Sequence, residues 1–310
     1  PWHVVGEVGD EAAKEFSLAP GTLIAAGCGD TAANALGAGI VRPGMVFDVA
    51  GTASVLAAST STYMADVENR ALLTMRSVIP SLWNPLAYIG GGGQALRWFR
   101  DHFYNALYGE SQPRTEDLYT EMITLAAQAP LGADGLFFSP HLGGRICPST
   151  PDMRGAWIGF SWSHTQAHFA RAVLESIAFE YAYYLRILRE AVPDLALTET
   201  RAIGGGARSN VWNQMKADVL GVPYQRLRRS EFGSWGSAMI AGKAAGIFDG
   251  LAEVAIAHAQ PAGKPLLPDP DNHKQYRPLV EKHIALQDTL HDTFVNTLKN
   301  KQFEGDFEFK

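Results

Sequence analysis

The sequence predicts a fold of the α/β class, and three observations support this prediction. Short apolar runs with the character of strands alternate with segments of helical periodicity along the 310 residues. Several of these runs end in glycine-rich stretches that lead directly into a helical segment. In addition, no repeat with a period of roughly 20 to 50 residues is present, which excludes a solenoid.

The first part of the chain contains a strand–turn–helix unit followed by a hairpin. The apolar run Thr22 to Gly27 predicts a strand, and the alanine-rich segment after Asp30 predicts a helix that packs closely against a neighbour. Two strands over Met45–Ala50 and Ser54–Ala58 flank a turn that contains glycine, which predicts a β-hairpin.

Two further glycine loops each lie between a strand and a helix. Gly90 to Gly93 precede a helix with Leu96 and Phe99 on one apolar face, and Gly204 to Gly206 precede a helix that ends at Gly221. Backbone N–H groups and the helix dipole make such N-termini favourable for an anion, so the loops predict a phosphate in the cleft between them.

Three more helices are predicted in the second half of the chain. Ser163 and Gln166 are placed to form the capping box of a long helix that is apolar on most sides and therefore buried. A helix around Gly236 carries small residues that allow it to approach neighbouring backbone closely. The last helix is expected from about His273 to Asn300.

Composition excludes several classes of function. A formal net charge of −6 and a pI near 5.9 disfavour a nucleic-acid partner, and no apolar run reaches the ~20 residues that a membrane-spanning helix needs. Two cysteines, Cys28 and Cys147, without a signal-like segment fit a reducing compartment, so a cytoplasmic location is expected. The chain opens at Pro1, and we expect it to begin inside a longer protein.

Asp30, in the stretch "GCGDTAANALGAG", has two interpretations. Aspartate is a preferred N-cap, which suits a helix starting at Thr31. A positioned carboxylate can also accept the proton of a hydroxyl that attacks a phosphoryl group. The residues alone do not decide between a cap and a catalytic base, and one side chain can serve as both.

The glycine loops taken singly indicate only turns, because none is a Walker A or a GxGxxG motif. Their order is more informative: the Asp30 turn, the Gly-Thr hairpin, a glycine loop before "RWFRD", then "RGAWIGF", "RAVLES" and "IGGGARSNVW". This order resembles the C-terminal half of FGGY-type carbohydrate kinases, the group that contains xylulokinase and glycerol kinase. The resemblance covers nearly the whole chain.

The resemblance implies an actin-like ATPase (ribonuclease H-like) fold, with a mixed sheet flanked by helices. It places residues 1–41 at the end of an N-terminal, sugar-binding domain and residues 42–310 in a C-terminal, nucleotide-binding domain. Most of the N-terminal domain would then be absent from this chain, and the isolated chain is expected to be inactive. Asp30 becomes the catalytic base, and Thr31 takes a position that contacts the sugar.

The resemblance also implies a nucleotide site built from three loops. The hairpin residues Gly51, Thr52 and Ser54 would hold the β- and γ-phosphates of ATP or ADP. In the second loop, Gly93 would approach the phosphates, with Arg97 facing either the same cleft or solvent.

The third loop would hold the adenosine through Gly205, Gly206 and Asn210. Alternatively, Ser209 caps the following helix and leaves Asn210 exposed. Mg²⁺ is expected to bridge the ATP phosphates, with its carboxylate ligands mostly in the absent domain.

Some residues depart from the family pattern or have plainer interpretations. Relatives typically have "GERTP" where this chain has "GGRICP" at 143–148, which indicates a less familiar branch. His164 and His168 have a spacing that suits a metal on a helix, but no third ligand is evident, so surface positions are favoured. The tryptophans Trp98, Trp157 and Trp212 are expected to pack in the core.

The function that follows is ATP-dependent phosphorylation of a sugar or polyol. The alternative is an actin-like nucleotide-binding switch module without sugar kinase activity. The expected partner is a small sugar or polyol, with no nucleic acid and no membrane, and a homodimer is left open.

Overall fold

A computed structural model of the chain describes residues 1–104 and 115–298. The strands in these residues are β1 (Val4–Glu7), β2 (Leu23–Ala25), β3 (Met45–Ala50), β4 (Ser54–Ala58), β5 (Leu73–Arg76), β6 (Trp83–Ile89), β7 (Phe137–Ser139), β8 (Ala156–Ile158), β9 (Glu199–Ile203) and β10 (Tyr224–Arg226). The α-helices are α1 (Asp10–Phe16), α2 (Asp30–Gly37), α3 (Gly92–Phe99), α4 (Thr115–Ala126), α5 (Gln166–Ala191), α6 (Asn210–Leu220), α7 (Phe232–Ala244), α8 (Leu251–His258) and α9 (Pro270–Leu298).

Six of the strands form a mixed sheet in the order β10-β9-β3-β4-β6-β5. The first three are parallel to one another, and each later strand is antiparallel to its neighbour. The pairs β1–β2 and β7–β8 form two small antiparallel sheets. The α/β prediction and the mixed sheet are therefore confirmed.

Strand β3 divides the core into two layers. Its residues Val46 and Ala50 face the layer that contains α5, α6 and α9, whereas Met45 and Phe47 face the layer that contains α2 and α7. This alternation follows from the two-residue repeat of a strand whose two faces are both covered by helices. Within the described residues, no helix is both long enough and apolar enough to cross a membrane.

The predicted local elements are largely confirmed, with corrections at helix ends. The hairpin strands have the predicted bounds, and Gly221 ends α6 with a left-handed backbone, φ 65°. The capping box of α5 was wrongly placed: Thr165 and His168 form it, because α5 begins at Gln166. The last helix begins at Pro270, and its predicted end at Asn300 lies outside the described residues.

Helices α2 and α7 pack with their backbones in contact. A Cβ atom on Gly37 would overlap the carbonyl oxygen of Phe232, and one on Gly236 would overlap that of Ala33. The small-residue prediction for α7 is therefore confirmed, and α2 is joined to the part of the chain after residue 41. The division into two domains at that residue stays a prediction.

A buried charge cluster connects α5 to the segment before β8. Glu180 accepts hydrogen bonds from Arg145 at 2.9 Å and from His283 at 3.0 Å, and His141 lies 3.3 Å from the same carboxylate. Burial alone would raise the pKa of Glu180, but the Arg145 charge and the two imidazoles hold that pKa well below its usual value of 4.5. The folded state therefore favours the carboxylate.

We expect Glu180→Gln to lower the free energy of unfolding by about 3–5 kcal/mol at pH 7, because Arg145 would remain buried without its partner. The contribution of the wild-type carboxylate is present above pH 4.5, the usual value, and is lost as pH falls through the lower pKa of the folded state. The difference in the free energy of unfolding between variant and wild type should therefore become smaller below pH 4.5. Urea unfolding followed by circular dichroism between pH 7 and pH 3 measures this free energy.

Glu190→Gln is the matched control on the same helix. Its carboxylate lies 4.0 Å from Arg186 at the surface, so the expected change is below about 0.5 kcal/mol. Equal losses for the two variants, or a difference independent of pH, would contradict the role given to the Glu180 cluster.

Candidate nucleotide site

A cavity of about 740 Å³ lies where three glycine-containing loops meet. The first is the turn between β3 and β4, the second is the N-terminus of α3, and the third runs from Gly204 into α6. Six of the predicted residues line this cavity together with Arg97: Gly51, Thr52, Gly93, Gly205, Gly206 and Asn210. Residues far apart in the sequence are thus brought to one cavity.

The hairpin turn lies directly against the start of α3. The amide of Gln94 donates to the carbonyl of Thr52 at 3.0 Å, and a Cβ on Gly93 would overlap the carbonyl oxygen of Gly51. No side chain caps α3, whose N-cap is Gly91. The first-turn amides of a helix are not satisfied within the helix, and because the Gln94 amide is bonded to Thr52, those of Gly92 and Gly93 are the ones that can bind an anion.

The third loop approaches the end of β3 equally closely. Gly204 has φ +86°, and a Cβ there would lie 2.7 Å from the carbonyl oxygen of Ala50. A Cβ on Gly206 would lie 2.5 Å from the ring of Trp212, whereas one on Gly205 would meet nothing within 4 Å. Gly204 and Gly206 therefore serve close packing, and Gly205 presents bare backbone to the cavity.

The structure shows the capped start that was considered for α6, and the adenosine role of Asn210 stays a prediction. Ser209 is the N-cap and accepts a hydrogen bond from the amide of Trp212 at 3.2 Å. Asn210, the next residue, is exposed and lines the cavity. Trp212 is buried as predicted, yet its ring also forms part of the cavity lining.

One wall of the cavity was missed by sequence reasoning. Residues of α4 face the three loops across the cavity, and their spacing is that of one helical face. They are Tyr119, Thr120, Ile123 and Thr124. The helical spacing of these residues was the one feature of the sequence that could have indicated them. That spacing does not distinguish a helix face that lines a ligand cavity from an ordinary exposed face. The remaining lining residues that were not predicted are Ala50, Leu96, Arg208, Ser209 and Val211.

The cavity carries positive charge. Arg97 and Arg208 are exposed and line it, and the described residues that form its lining include no aspartate or glutamate. In the described part of the chain, no group of three His, Cys, Asp or Glu side chains is placed to hold a metal ion. The lining therefore suits an anionic ligand, but its residues do not form a magnesium site.

Ser54 does not line the cavity, unlike the other predicted phosphate-binding residues. It is fully buried at the start of β4, and its hydroxyl oxygen lies where a Cβ on Gly92 would be placed. The strand alternation explains this position, because the residue that begins β4 turns into the core. Ser54 therefore packs against Gly92, at the start of the second loop.

Asp30 lies at the N-terminus of α2 and is exposed. The helix begins at Asp30 itself, with Gly29 as N-cap, so Asp30 is not the cap of a helix from Thr31. Its Oδ1 accepts from the Thr31 amide at 2.6 Å and from the Thr31 hydroxyl at 3.3 Å. Neither residue lines the large cavity.

A second cavity, of about 490 Å³, lies beside Asp30. Its lining includes Cys28, Gly29 and Ala32, which flank Asp30 in the sequence, and Met75 at the end of β5. Partial burial, with a smaller contribution from the Asp30 carboxylate, raises the pKa of the Cys28 thiol. The thiol therefore stays protonated at neutral pH.

The two histidines that were considered as metal ligands have other partners. His168 lies 3.1 Å from Asp134 through Nε2, and its Nδ1 accepts from the Thr165 amide in the capping box. His164 accepts from the Ser161 amide at 2.7 Å. Trp98 and Trp157 stack on each other with ring centroids 5.8 Å apart, in a cluster of aromatic side chains.

Comparison with known proteins places this chain among carbohydrate kinases. The model of the FGGY family of carbohydrate kinases, C-terminal domain, matches residues 47–245. The xylulose kinase of Staphylococcus epidermidis is 30% identical over 283 residues, which make up 91% of this chain and 54% of that protein. The chain thus spans about half the length of the curated relatives it matches.

Solved structures agree with this placement. The xylulose kinase from Rhodospirillum rubrum aligns with a TM-score of 0.81 and 32% identity, over 95% of this chain and 57% of that one. The Plasmodium falciparum glycerol kinase with ADP aligns with a TM-score of 0.75 over 92% of this chain and 54% of that one, and at 19% identity it shows the fold alone. The resemblance inferred from the motif order and the actin-like fold are confirmed.

Proposed function

Because the chain belongs to the FGGY family of carbohydrate kinases, we propose that it forms the nucleotide-binding half of an ATP-dependent sugar or polyol kinase and carries the catalytic aspartate. The observation that supports this most directly is the convergence of three glycine loops on one positively charged cavity. Under this proposal, residues 1–41 belong to a sugar-binding domain, and residues 42–310 form the nucleotide-binding domain.

The proposed cavity binds ATP or ADP across its three loops. The hairpin backbone and the Thr52 hydroxyl donate to the β- and γ-phosphates, and the uncapped start of α3 adds amides at Gly93. The adenosine lies on the bare backbone of Gly205, with the Asn210 side chain within reach of the base. A glycerol kinase of the same fold, from Plasmodium falciparum, has been solved with ADP.

Asp30 would act as the general base of the transfer. A sugar or polyol hydroxyl loses its proton to the Asp30 carboxylate as its oxygen attacks the γ-phosphorus, and the bond to the β-phosphate oxygen breaks. Thr31, which donates to the same carboxylate, orients it and faces the acceptor. The protein contributes mainly positioning and charge stabilisation, as phosphoryl transfer requires. Magnesium would arrive with the nucleotide phosphates and would neutralise part of their charge.

Asp30→Asn should lower sugar-dependent ADP release by about 10²- to 10⁴-fold, because the acceptor hydroxyl loses its base. The affinity for ADP should stay unchanged, since Asp30 lies outside the large cavity. A coupled ADP-release assay on the protein that joins this chain to its sugar-binding domain measures turnover. Calorimetry measures affinity.

Asp10→Asn is the matched control, because Asp10 is also exposed, also begins a helix and also follows a glycine N-cap. It should retain full turnover. Near-normal turnover of Asp30→Asn would disprove the base assignment. If the wild type hydrolyses ATP at a rate that no sugar or polyol changes, the switch module is favoured instead.

Gly205→Val should weaken ADP binding by at least about tenfold, since its side chain would occupy space that the adenosine needs. The substitution should leave the melting temperature unchanged, because a Cβ at Gly205 meets no atom within 4 Å and the residue has φ −61°. Gly206 is less suitable, because its Cβ would overlap Trp212. Calorimetry with ADP on this chain gives the affinity.

Gly263→Val is the matched control, because a Cβ at Gly263 also meets nothing within 4 Å and Gly263 does not line the cavity. Its ADP affinity should equal that of the wild type. Unchanged affinity in a folded Gly205→Val protein would remove the third loop from the nucleotide site.

A further inference from the structure

A lysine and an aspartate are buried together beneath the cavity. Lys216 of α6 and Asp48 of β3 form an ion pair in which both side chains are 0% exposed. Tyr181 of α5 donates to the other oxygen of Asp48 at 2.8 Å. The Lys216 ammonium also lies 4.3 Å from the ring centroid of Trp212 and 5.4 Å from that of Tyr224.

Stability alone is a poor explanation for this pair. The cost of removing two charges from water often equals or exceeds their attraction, and apolar residues of similar volume frequently stabilise a core as well or better. Asp48 lies between Val46 and Ala50 on a strand face that is otherwise apolar. An apolar residue would therefore be expected at position 48 unless the ion pair has a role other than stability.

The pair is connected to two of the three cavity loops. Asp48 lies on β3, three residues before Gly51. The position of Asp48 therefore fixes the position of the hairpin turn. Lys216 is one helical turn after Trp212, whose ring contacts the space above Gly206 and lines the cavity. The ion pair thus joins the strand that ends in the first loop to the helix that begins with the third.

The surroundings of the pair favour a fixed geometry. Burial, and next the charge of Asp48, raise the pKa of Tyr181 well above its usual value, so its hydroxyl keeps the proton that it donates. The Asp48 carboxylate is therefore held on both oxygens, by the ammonium on one side and by the phenol on the other. A carboxylate with two fixed donors cannot rotate to follow a displaced partner.

We propose that Lys216 and Asp48 are positioning residues that hold the hairpin turn and the Gly204–Gly206 loop at the separation a bound nucleotide requires. This inference rests on the proposed function, because it assumes that the nucleotide spans both loops. The pair touches no ligand itself. It acts through the backbone of β3 and through Trp212.

The test compares two variants that each remove one cation from a buried ion pair of this chain. Lys216→Met acts beneath the cavity, and Arg145→Met acts in the Glu180 cluster, whose residues do not line the cavity. Both should lower the midpoint of urea unfolding. Only Lys216→Met should weaken ADP binding, by at least about tenfold, because a small misplacement of loops that share one ligand is costly.

A second ligand separates positioning from general damage. Adenosine needs only the third loop, so Lys216→Met should weaken its binding much less than that of ADP, which spans both loops. Calorimetry with ADP and adenosine, at a temperature where every variant is folded, measures the two affinities. A uniform loss for both ligands, or an equal loss of ADP affinity in Arg145→Met, would overturn the inference.

The double variant Lys216→Met with Asp48→Asn keeps the test decisive if the single variant does not fold. It leaves no unpaired charge, so its urea midpoint should recover, while its ADP affinity should stay low because the tie between the loops is gone. ADP affinity equal to that of the wild type in this folded protein would overturn the inference. Absence of ADP binding by the wild type would instead overturn the proposed function, and the inference with it.

Discussion

The cavity depends on one steric constraint, which is that three stretches of backbone approach one another more closely than any side chain allows. Gly93 lies against the carbonyl of Gly51, and Gly204 lies against that of Ala50. The hairpin is therefore the central element, with one neighbouring loop on each side of its turn. Since these contacts involve backbone, the cavity presents amides and carbonyls at fixed positions, which is the arrangement that charge stabilisation in phosphoryl transfer needs.

The same kind of contact ties the proposed base to this centre. Gly37 and Gly236 let α2 and α7 touch through their backbones, and Arg201 donates to the carbonyls of Ala38 and Gly39 at the end of α2. Arg201 lies on β9, three residues before Gly204, where the third loop begins. The helix that carries Asp30 is thus joined at its far end to the strand that leads into the cavity.

The sequence predicted the features that depend on neighbouring residues and missed those that depend on distant ones. The hairpin bounds followed from two strand-like runs on either side of the turn at Gly51, which is local information. The capping box of α5 was misplaced by two residues, because Ser163 and Thr165 are both acceptable caps and the His168 side chain decides between them. Such a choice requires the structure.

Contacts between distant segments were not predictable from one sequence. The Lys216–Asp48 pair joins residues 168 positions apart, and nothing in the sequence around either residue indicates that it has a buried partner. The wall formed by Tyr119 and its neighbours on α4 reads locally as an ordinary helix face. Ser54 differs from the other residues of the family motif: the motif predicts a ligand contact, whereas its side chain is fully buried at the start of β4.

The separation between Asp30 and the large cavity limits how the proposed reaction can proceed. Reacting atoms must come within about 3–3.5 Å of each other, yet Asp30 lines neither cavity. The acceptor hydroxyl must therefore lie between the α2 N-terminus and the hairpin turn, and it must be held there by groups on the opposite side. Because α2 contacts α7 and is hydrogen-bonded at its end to Arg201 of β9, the proposed base is joined through packed backbone to the strand that leads into the third loop. Under the proposed function, specificity for the acceptor then depends on the groups that face Asp30 from the opposite side, while the transfer depends on Asp30 and the three loops.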